Sequence, residues 1–200
     1  MILKNKNILI TGAGKGIGRA CVNDFISKGG YVFALINQKK DNSKFKKHIN
    51  LKIYNGNVNN QKIINKIFEE SKKINKPINC LVNNAGLRFR KNFLKIRKDE
   101  LRNVFETNFF SPLVIMQIFS KFLIKNKMKG SLINMTSIVG KIGFDGLTGY
   151  ASSKGALTSL TKSFAAEMSK YGINANNISP GFIKTSFYEK FKKDKKKLYN

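Results

Sequence analysis

The sequence predicts an α/β protein, a parallel sheet buried between layers of helices. Two observations carry this. Short β-rich runs alternate with helix-spaced segments along the chain. One of those runs, Tyr31–Ile36 (YVFALI), is continuously apolar, as expected of a strand covered on both faces.

Each element follows from its own pattern. Asn7–Thr11 reads as a strand that ends in glycines. Ile17–Lys28 reads as a helix, with Ile17, Cys21, Phe25 and Ile26 on one face. Tyr31–Ile36 is the second strand and Leu51–Tyr54 a weaker third. Gln61–Asn75 is a helix whose Ile64, Ile67, Phe68 and Ser71 share a side. Ile78–Val82 is the fourth strand, and Asp99–Lys125 a long helix with an interruption expected near Pro112. Ser131–Met135 is a strand, Tyr150–Tyr171 a helix, and Asn174–Ile178 a last strand that runs into Pro180-Gly181. In such sheets ligands bind beyond the carboxyl ends of the strands. The loops after Thr11, Ile36, Asn55, Asn83, Thr136 and Ser179 are therefore the candidate site.

Composition narrows the function classes. The 200 residues carry 38 Lys or Arg against 11 Asp or Glu, a formal charge of +27. A basic excess suggests a nucleic-acid or anionic-surface partner. Here, however, 33 Lys, 24 Asn and 23 Ile make up 40% of the chain, and all three have A/T-rich codons. The lysines are dispersed, with no basic motif interleaved with aromatics, so compositional drift accounts for the charge better than nucleic acid does. With 42% apolar residues the chain is not intrinsically disordered as a whole. Two cysteines and one histidine are too few for a zinc site or a disulfide scaffold, so no metal is expected and the compartment reads as reducing. Cys21 and Cys80 read as small core residues and His48 as a surface residue. Ile8-Leu9-Ile10 is too short for a signal segment, and no run approaches the ~18 apolar residues of a membrane span. The expectation is a cytoplasmic protein with one domain over residues 1–189 and a lysine-rich tail over 190–200.

The first strand leads into Thr11-Gly12-Ala13-Gly14-Lys15-Gly16-Ile17-Gly18 and then a helix. Gly12, Gly16 and Gly18 suit a tight turn, close approach of backbone to a pyrophosphate, and close helix–strand packing. Gly14, Lys15 and Ile17 complete the loop, whose N–H groups would face phosphates at the helix N-terminus. A cofactor with a free ribose 2′-hydroxyl usually meets an acid ~20 residues on. That place holds Ile36, Asn37 and Gln38, followed by Lys39 and Lys40. With no carboxylate there and Lys15 able to pair with a 2′-phosphate, the sequence favours NADP(H) over NAD(H).

Tyr150 and Lys154 are four residues apart on a helix, hence on one face. A phenol is a poor acid or base at neutral pH, and a nearby ammonium would draw its pKa down. Ser137 follows the Ser131–Met135 strand, where its hydroxyl could bond a carbonyl oxygen and aim it at the tyrosine.

Taken in order, the glycine loop, Asn83-Asn84-Ala85-Gly86, Asn108, Ser137, Tyr150 with Lys154, and Pro180-Gly181 with Ile183 and Thr185 resemble the short-chain dehydrogenase/reductase family from Asn7 to Thr185. The resemblance implies a Rossmann-type, doubly wound parallel sheet of order 3-2-1-4-5-6. It implies an enzyme interconverting a carbonyl and a secondary alcohol with NAD(P). Tyr150 would be the acid/base. Lys154 would lower its pKa and hold the nicotinamide ribose, Ser137 would bind the substrate oxygen, and Asn108 would hold a relay water. Asn84, Ala85 and Gly86 would line the adenine-ribose side; Pro180, Gly181, Ile183 and Thr185 would contact the nicotinamide end.

Two departures qualify the resemblance. At Asn57-Val58 the family usually has Asp-Val, with the acid accepting from the adenine amino group; the amide oxygen of Asn57 can still accept that bond. Family members also continue past the Pro-Gly segment through a substrate-covering helix pair and a seventh strand, absent here. The expectation is a fragment of a longer product, with a covering partner subunit as the other reading of an exposed last strand.

The Ser137–Tyr150 spacing and Gly140-Lys141-Ile142-Gly143 are similar to 3-oxoacyl-acyl-carrier-protein reductases, and a basic surface suits an acidic carrier protein. Leu87-Arg88-Phe89-Arg90 is closer to sugar-acid dehydrogenases such as gluconate 5-dehydrogenase, where an arginine could meet a carboxylate. The partners implied are a small-molecule or acyl-thioester carbonyl substrate, an acyl-carrier protein, and further copies of the chain in a homo-dimer or homo-tetramer. A cofactor-binding chain without turnover and a polyanion binder are the remaining alternatives.

Overall fold

The computed structural model describes residues 1–185, so the end of the expected domain and the 190–200 tail lie outside the described residues. Six strands form one parallel sheet in the order β3-β2-β1-β4-β5-β6. They are β1 (Asn7–Thr11), β2 (Tyr31–Ile36), β3 (Leu51–Asn55), β4 (Cys80–Asn83), β5 (Gly130–Met135) and β6 (Ile173–Ile178). The order is the one the resemblance implied. Five α-helices connect them: α1 (Gly16–Ser27), α2 (Gln61–Lys73), α3 (Lys98–Phe105), α4 (Ser111–Lys125) and α5 (Thr148–Met168).

Strand periodicity splits the core into two layers. Leu9, Phe33 and Leu35 point to the side where Ile64, Ile67 and Phe68 of α2 and Ile115, Phe119 and Leu123 of α4 are buried. Leu160, Phe164 and Met168 of α5 pack against the same cluster. Ile8, Ile10, Val32, Ala34 and Ile36 point to the other side, against Val22, Ile17, Cys21 and Phe25 of α1. Both cysteines pack in this second layer, and burial is the main influence pushing each thiol's pKa up.

Most boundaries shift by one to three residues from the sequence expectation, the last helix running Thr148–Met168 rather than Tyr150–Tyr171, and two differences are informative. The fourth strand begins at Cys80 rather than Ile78 because Asn79 serves as a latch. Its side chain accepts from Asn7 N at 2.9 Å while Asn7 Nδ2 donates to Pro77 O at 2.9 Å. The long helix changes its winding at Glu106–Phe110, a π-helical turn, rather than at Pro112. Pro112 sits in the first turn of α4, where a missing N–H costs little. The sequence reading found no run approaching a membrane span, whereas the continuous run Lys98–Lys125 is long and apolar enough to cross one by length and composition. Of its most apolar stretch, 44% is buried inside the fold.

All six strands run the same way, so their carboxyl ends share one rim. The loops after β1, β2, β3, β4, β5 and β6 meet there around one cleft.

Candidate active site

The cleft has a volume of about 580 Å³ and is lined from all six strand ends. Its floor is the glycine loop, tied to the segment after β4 by the Thr11 hydroxyl and the Asn84 side chain. Thr11 Oγ1 accepts from Asn84 N at 3.1 Å and from Ala85 N at 3.0 Å. Asn84 Nδ2 returns two bonds, to Thr11 O at 3.0 Å and Gly12 O at 3.1 Å. This closeness is why side chains are absent. A Cβ at Gly12 (φ +64°) would meet Ala85 Cα at 2.7 Å, and one at Gly18 would collide with Gly12 O. Gly16 adopts φ +53°, a left-handed conformation that strains other residues.

Around the ends of β1, β2 and β3, Gly12, Gly14, Lys15, Gly16 and Ile17 line the cleft with Asn37, Asn57 and Val58. Gly18, Asn108 and Ser137 are not among the lining residues; Gly18 packs under the loop, against Gly12 and Asn84. Asn57 Oδ1, expected to face an adenine amino group, accepts from Asn59 N at 3.0 Å and shapes the turn into α2. Asp41, which sequence reasoning passed over, is 6% exposed and lines the same end. The signal available in the sequence was Gly14, a glycine at a position outside the G-x3-G-x-G pattern.

Asn84 and Ala85 lie against Gly12 of the glycine loop, Thr185 lies beside Gly16, and Gly86 lies toward Asn108 and Lys154; Pro180, Gly181, Phe182 and Ile183 also line the cleft. The last loop is sutured to β5. Thr136 N donates to Ile178 O at 2.8 Å, its hydroxyl lies 2.7 Å from Ser179 Oγ, and Ile138 N donates to Pro180 O at 3.1 Å.

Tyr150 and Lys154 line the cleft from the first turns of α5. Lys154 Nζ is 6.0 Å from the Tyr150 ring centroid and donates to Met135 O at 2.7 Å. Burial pushes the lysine's pKa down to about 8. Burial also dominates at Tyr150, pushing the phenol up to about 12 against a hydrogen bond from Ser137 and the Arg88 charge. The sequence reading assigned the lowering to Lys154; the influences that lower it here are Ser137 and Arg88. Ser137 also accepts from Val139 N at 3.4 Å.

Asn108 lies on the π-helical turn and is fully buried. Its Oδ1 accepts from Leu87 N at 2.7 Å; its Nδ2 donates to Leu87 O at 2.9 Å and Ser153 Oγ at 3.0 Å. It clamps the segment after Gly86 to the helix that carries Tyr150. A Cβ on Gly86 would lie 3.5 Å from Asn108 Oδ1 and 3.6 Å from Lys154 Nζ, so Gly86 adjoins both groups. The same segment is strapped to the loop before α5. Arg90 donates to Asp145 O at 2.9 Å, and Lys91 N to Gly146 O at 2.9 Å. Phe89 fills the space a side chain on Gly149 would need, with Cδ1 at 2.9 Å. Arg88 has its pKa lowered chiefly by burial and then by Arg90, while Tyr150 acts to raise it.

These residues fit a nicotinamide dinucleotide. A glycine cradle admits close backbone approach to a pyrophosphate at a helix N-terminus, and a Tyr/Lys/Ser set stands at the far end. Among the described residues, no group of three or more His, Cys, Asp or Glu is placed to hold a metal ion.

Comparison with known proteins agrees. The family model described as short chain dehydrogenase matches residues 6–196. The 3-oxoacyl-acyl-carrier-protein reductase FabG of Haemophilus influenzae is 30% identical over 189 residues, covering 94% of this chain and 78% of that protein. The 5-keto-D-gluconate 5-reductase of Escherichia coli K12 is 31% identical over 188 residues, covering 92% and 74%. Among solved structures, 4-hydroxyisoleucine dehydrogenase complexed with NADH superposes with a TM-score of 0.86 at 31% identity, covering 96% of this chain and 79% of that one. ElxO with NADP bound gives a TM-score of 0.86 at 28% identity and the same coverage. By fold, motif order and these matches, the chain belongs to the short chain dehydrogenase family of oxidoreductases.

Proposed function

We propose that the protein reduces a carbonyl to a secondary alcohol with NADP(H) as its preferred cofactor and Tyr150 as the proton donor, and that a 3-oxoacyl thioester is its substrate. The observation that carries this is Tyr150 and Lys154 lining a glycine-floored cleft, with Ser137 hydrogen-bonded to Tyr150. The bound cofactor would supply hydride. Tyr150, held neutral by burial, gives its hydroxyl proton to the carbonyl oxygen as that oxygen gains charge. Ser137 donates to the same oxygen and fixes its direction. Lys154, tethered at Met135, holds the nicotinamide ribose hydroxyls. A water beside Gly86, near Asn108 and Lys154, would return a proton to the site.

Preference for NADP(H) is supported by Lys15 in the lining and by uncharged Asn37 and Gln38 at the end of β2. A thioester substrate is supported by the FabG relatives, and an acidic carrier protein suits a chain of +27. A homo-dimer or homo-tetramer in the cytoplasm is the setting we infer from the family. A second reading, a sugar-acid dehydrogenase, is favoured by Arg88 beside Tyr150 and by the 5-keto-D-gluconate 5-reductase relative.

The test is NADPH oxidation followed by absorbance with a 3-oxoacyl thioester and with a keto sugar acid, in the wild type and in Arg88→Ala. Turnover of the thioester with KM unchanged in Arg88→Ala, whatever the change in kcat through Tyr150, supports the first reading. Turnover confined to the keto acid, with KM raised in Arg88→Ala, replaces it with the second.

A further inference from the structure

The adenosine end of the cleft holds a carboxylate that β2 itself does not supply. Asp41 belongs to the 3-10 turn Lys39–Lys44 just beyond β2, and its N–H donates to Gln38 O at 2.9 Å. That turn carries its side chain back over the glycine loop. A Cβ built on Gly14 would come within 2.7 Å of Asp41 Oδ2 and 2.9 Å of Asp41 Cβ. Gly14 has no positive φ, unlike Gly12 and Gly16, so the turn does not require glycine there. What requires it is the carboxylate seated in the space of its side chain. Asp41 and Lys15 therefore stand in one lining with opposite charges.

A carboxylate accepts from ribose hydroxyls and repels a phosphate, and the repulsion of close charges reaches kcal/mol size where water is partly excluded. We propose that Asp41, seated over Gly14, is a specificity-determining residue of the dinucleotide site. It accepts from an adenosine-ribose hydroxyl and opposes a 2′-phosphate. It thereby offsets Lys15 and lets the chain take NAD(H) as well as NADP(H). The inference rests on the NADP(H) reading above, with Lys15 as the attractive charge, and it adds the repulsive one.

The test is binding, read by nicotinamide fluorescence as Kd for NADPH and for NADH in the wild type, Asp41→Asn and Lys15→Ala. Asp41→Asn is expected to shift the ratio of the two Kd values toward NADPH by about fivefold or more, mainly through tighter NADPH binding. Lys15→Ala is expected to weaken NADPH alone. An unchanged ratio in folded Asp41→Asn, or a shift toward NADH, overturns the role of Asp41. Unchanged NADPH binding in Lys15→Ala instead overturns the NADP(H) reading, whatever Asp41 does. Gly14→Ala, which takes the carboxylate's space, gives a second reading of the same ratio should Asp41→Asn fail to fold. It must also shift toward NADPH, and an unchanged ratio there counts against the proposal.

Discussion

Lys154 donates from Nζ to the main-chain carbonyl of Met135 at 2.7 Å, which ties the functional face of α5 to the end of β5. The lysine is buried, and its pKa falls from an ordinary 10.5 to about 8. Between those values the unfolded chain binds the proton that the folded chain has given up, so stability rises with pH across that window. The full rise is about 3 kcal/mol. Tyr150 works in the opposite sense, but only above its ordinary 10, because its folded pKa is raised to about 12. Urea unfolding of the wild type and Lys154→Met from pH 7 to pH 10 isolates the lysine. The wild type should gain on the variant as pH rises, and parallel pH profiles would remove Lys154 as the cause.

Gly18→Ala should damage the fold and the cofactor site together. The added methyl would collide with the carbonyl oxygen of Gly12, which is backbone and cannot rotate away. Overpacking of this kind costs about 1–3 kcal/mol. The expected outcome is a lower midpoint of thermal unfolding with weaker NADPH binding, measured on the same sample. Gly143→Ala, where a Cβ meets nothing within 4 Å, serves as the control and should change neither.

Thr11→Val keeps the side chain's shape and removes the acceptor that Asn84 N and Ala85 N share. Two N–H groups then lose their partner, at about 1–3 kcal/mol for each that stays buried. Stability should fall by that order, and amide exchange at Asn84 and Ala85 should quicken more than at Leu9 in the middle of β1. Uniform quickening across the sheet would mean that the hydroxyl does not fasten the loop.

Much of this was legible in the chain because the signals are local. The apolar run Tyr31–Ile36 marked a two-faced strand, and the glycines after Thr11 marked the turn that follows it. Tyr150 and Lys154 fall on one helix face by spacing alone. What could not be read depends on distant parts meeting. Nothing in the order Asn37-Gln38-Lys39-Lys40-Asp41 shows that the last of these folds back onto Gly14. The clamp of Asn108 on Leu87 joins residues 21 positions apart, through a π-helical turn that periodicity does not reveal. The balance at Tyr150 was misjudged for a related reason: burial, its largest influence, is a property of the assembled cleft.

The most direct test of the account compares Tyr150→Phe with the wild type, since that change deletes one hydroxyl and keeps the ring. NADPH binding and NADPH-dependent reduction of a 3-oxoacyl thioester are measured side by side. The account predicts unchanged binding and a loss of turnover of ~10²-fold or more, the scale of a missing general acid. Turnover that survives the loss of the hydroxyl would contradict it.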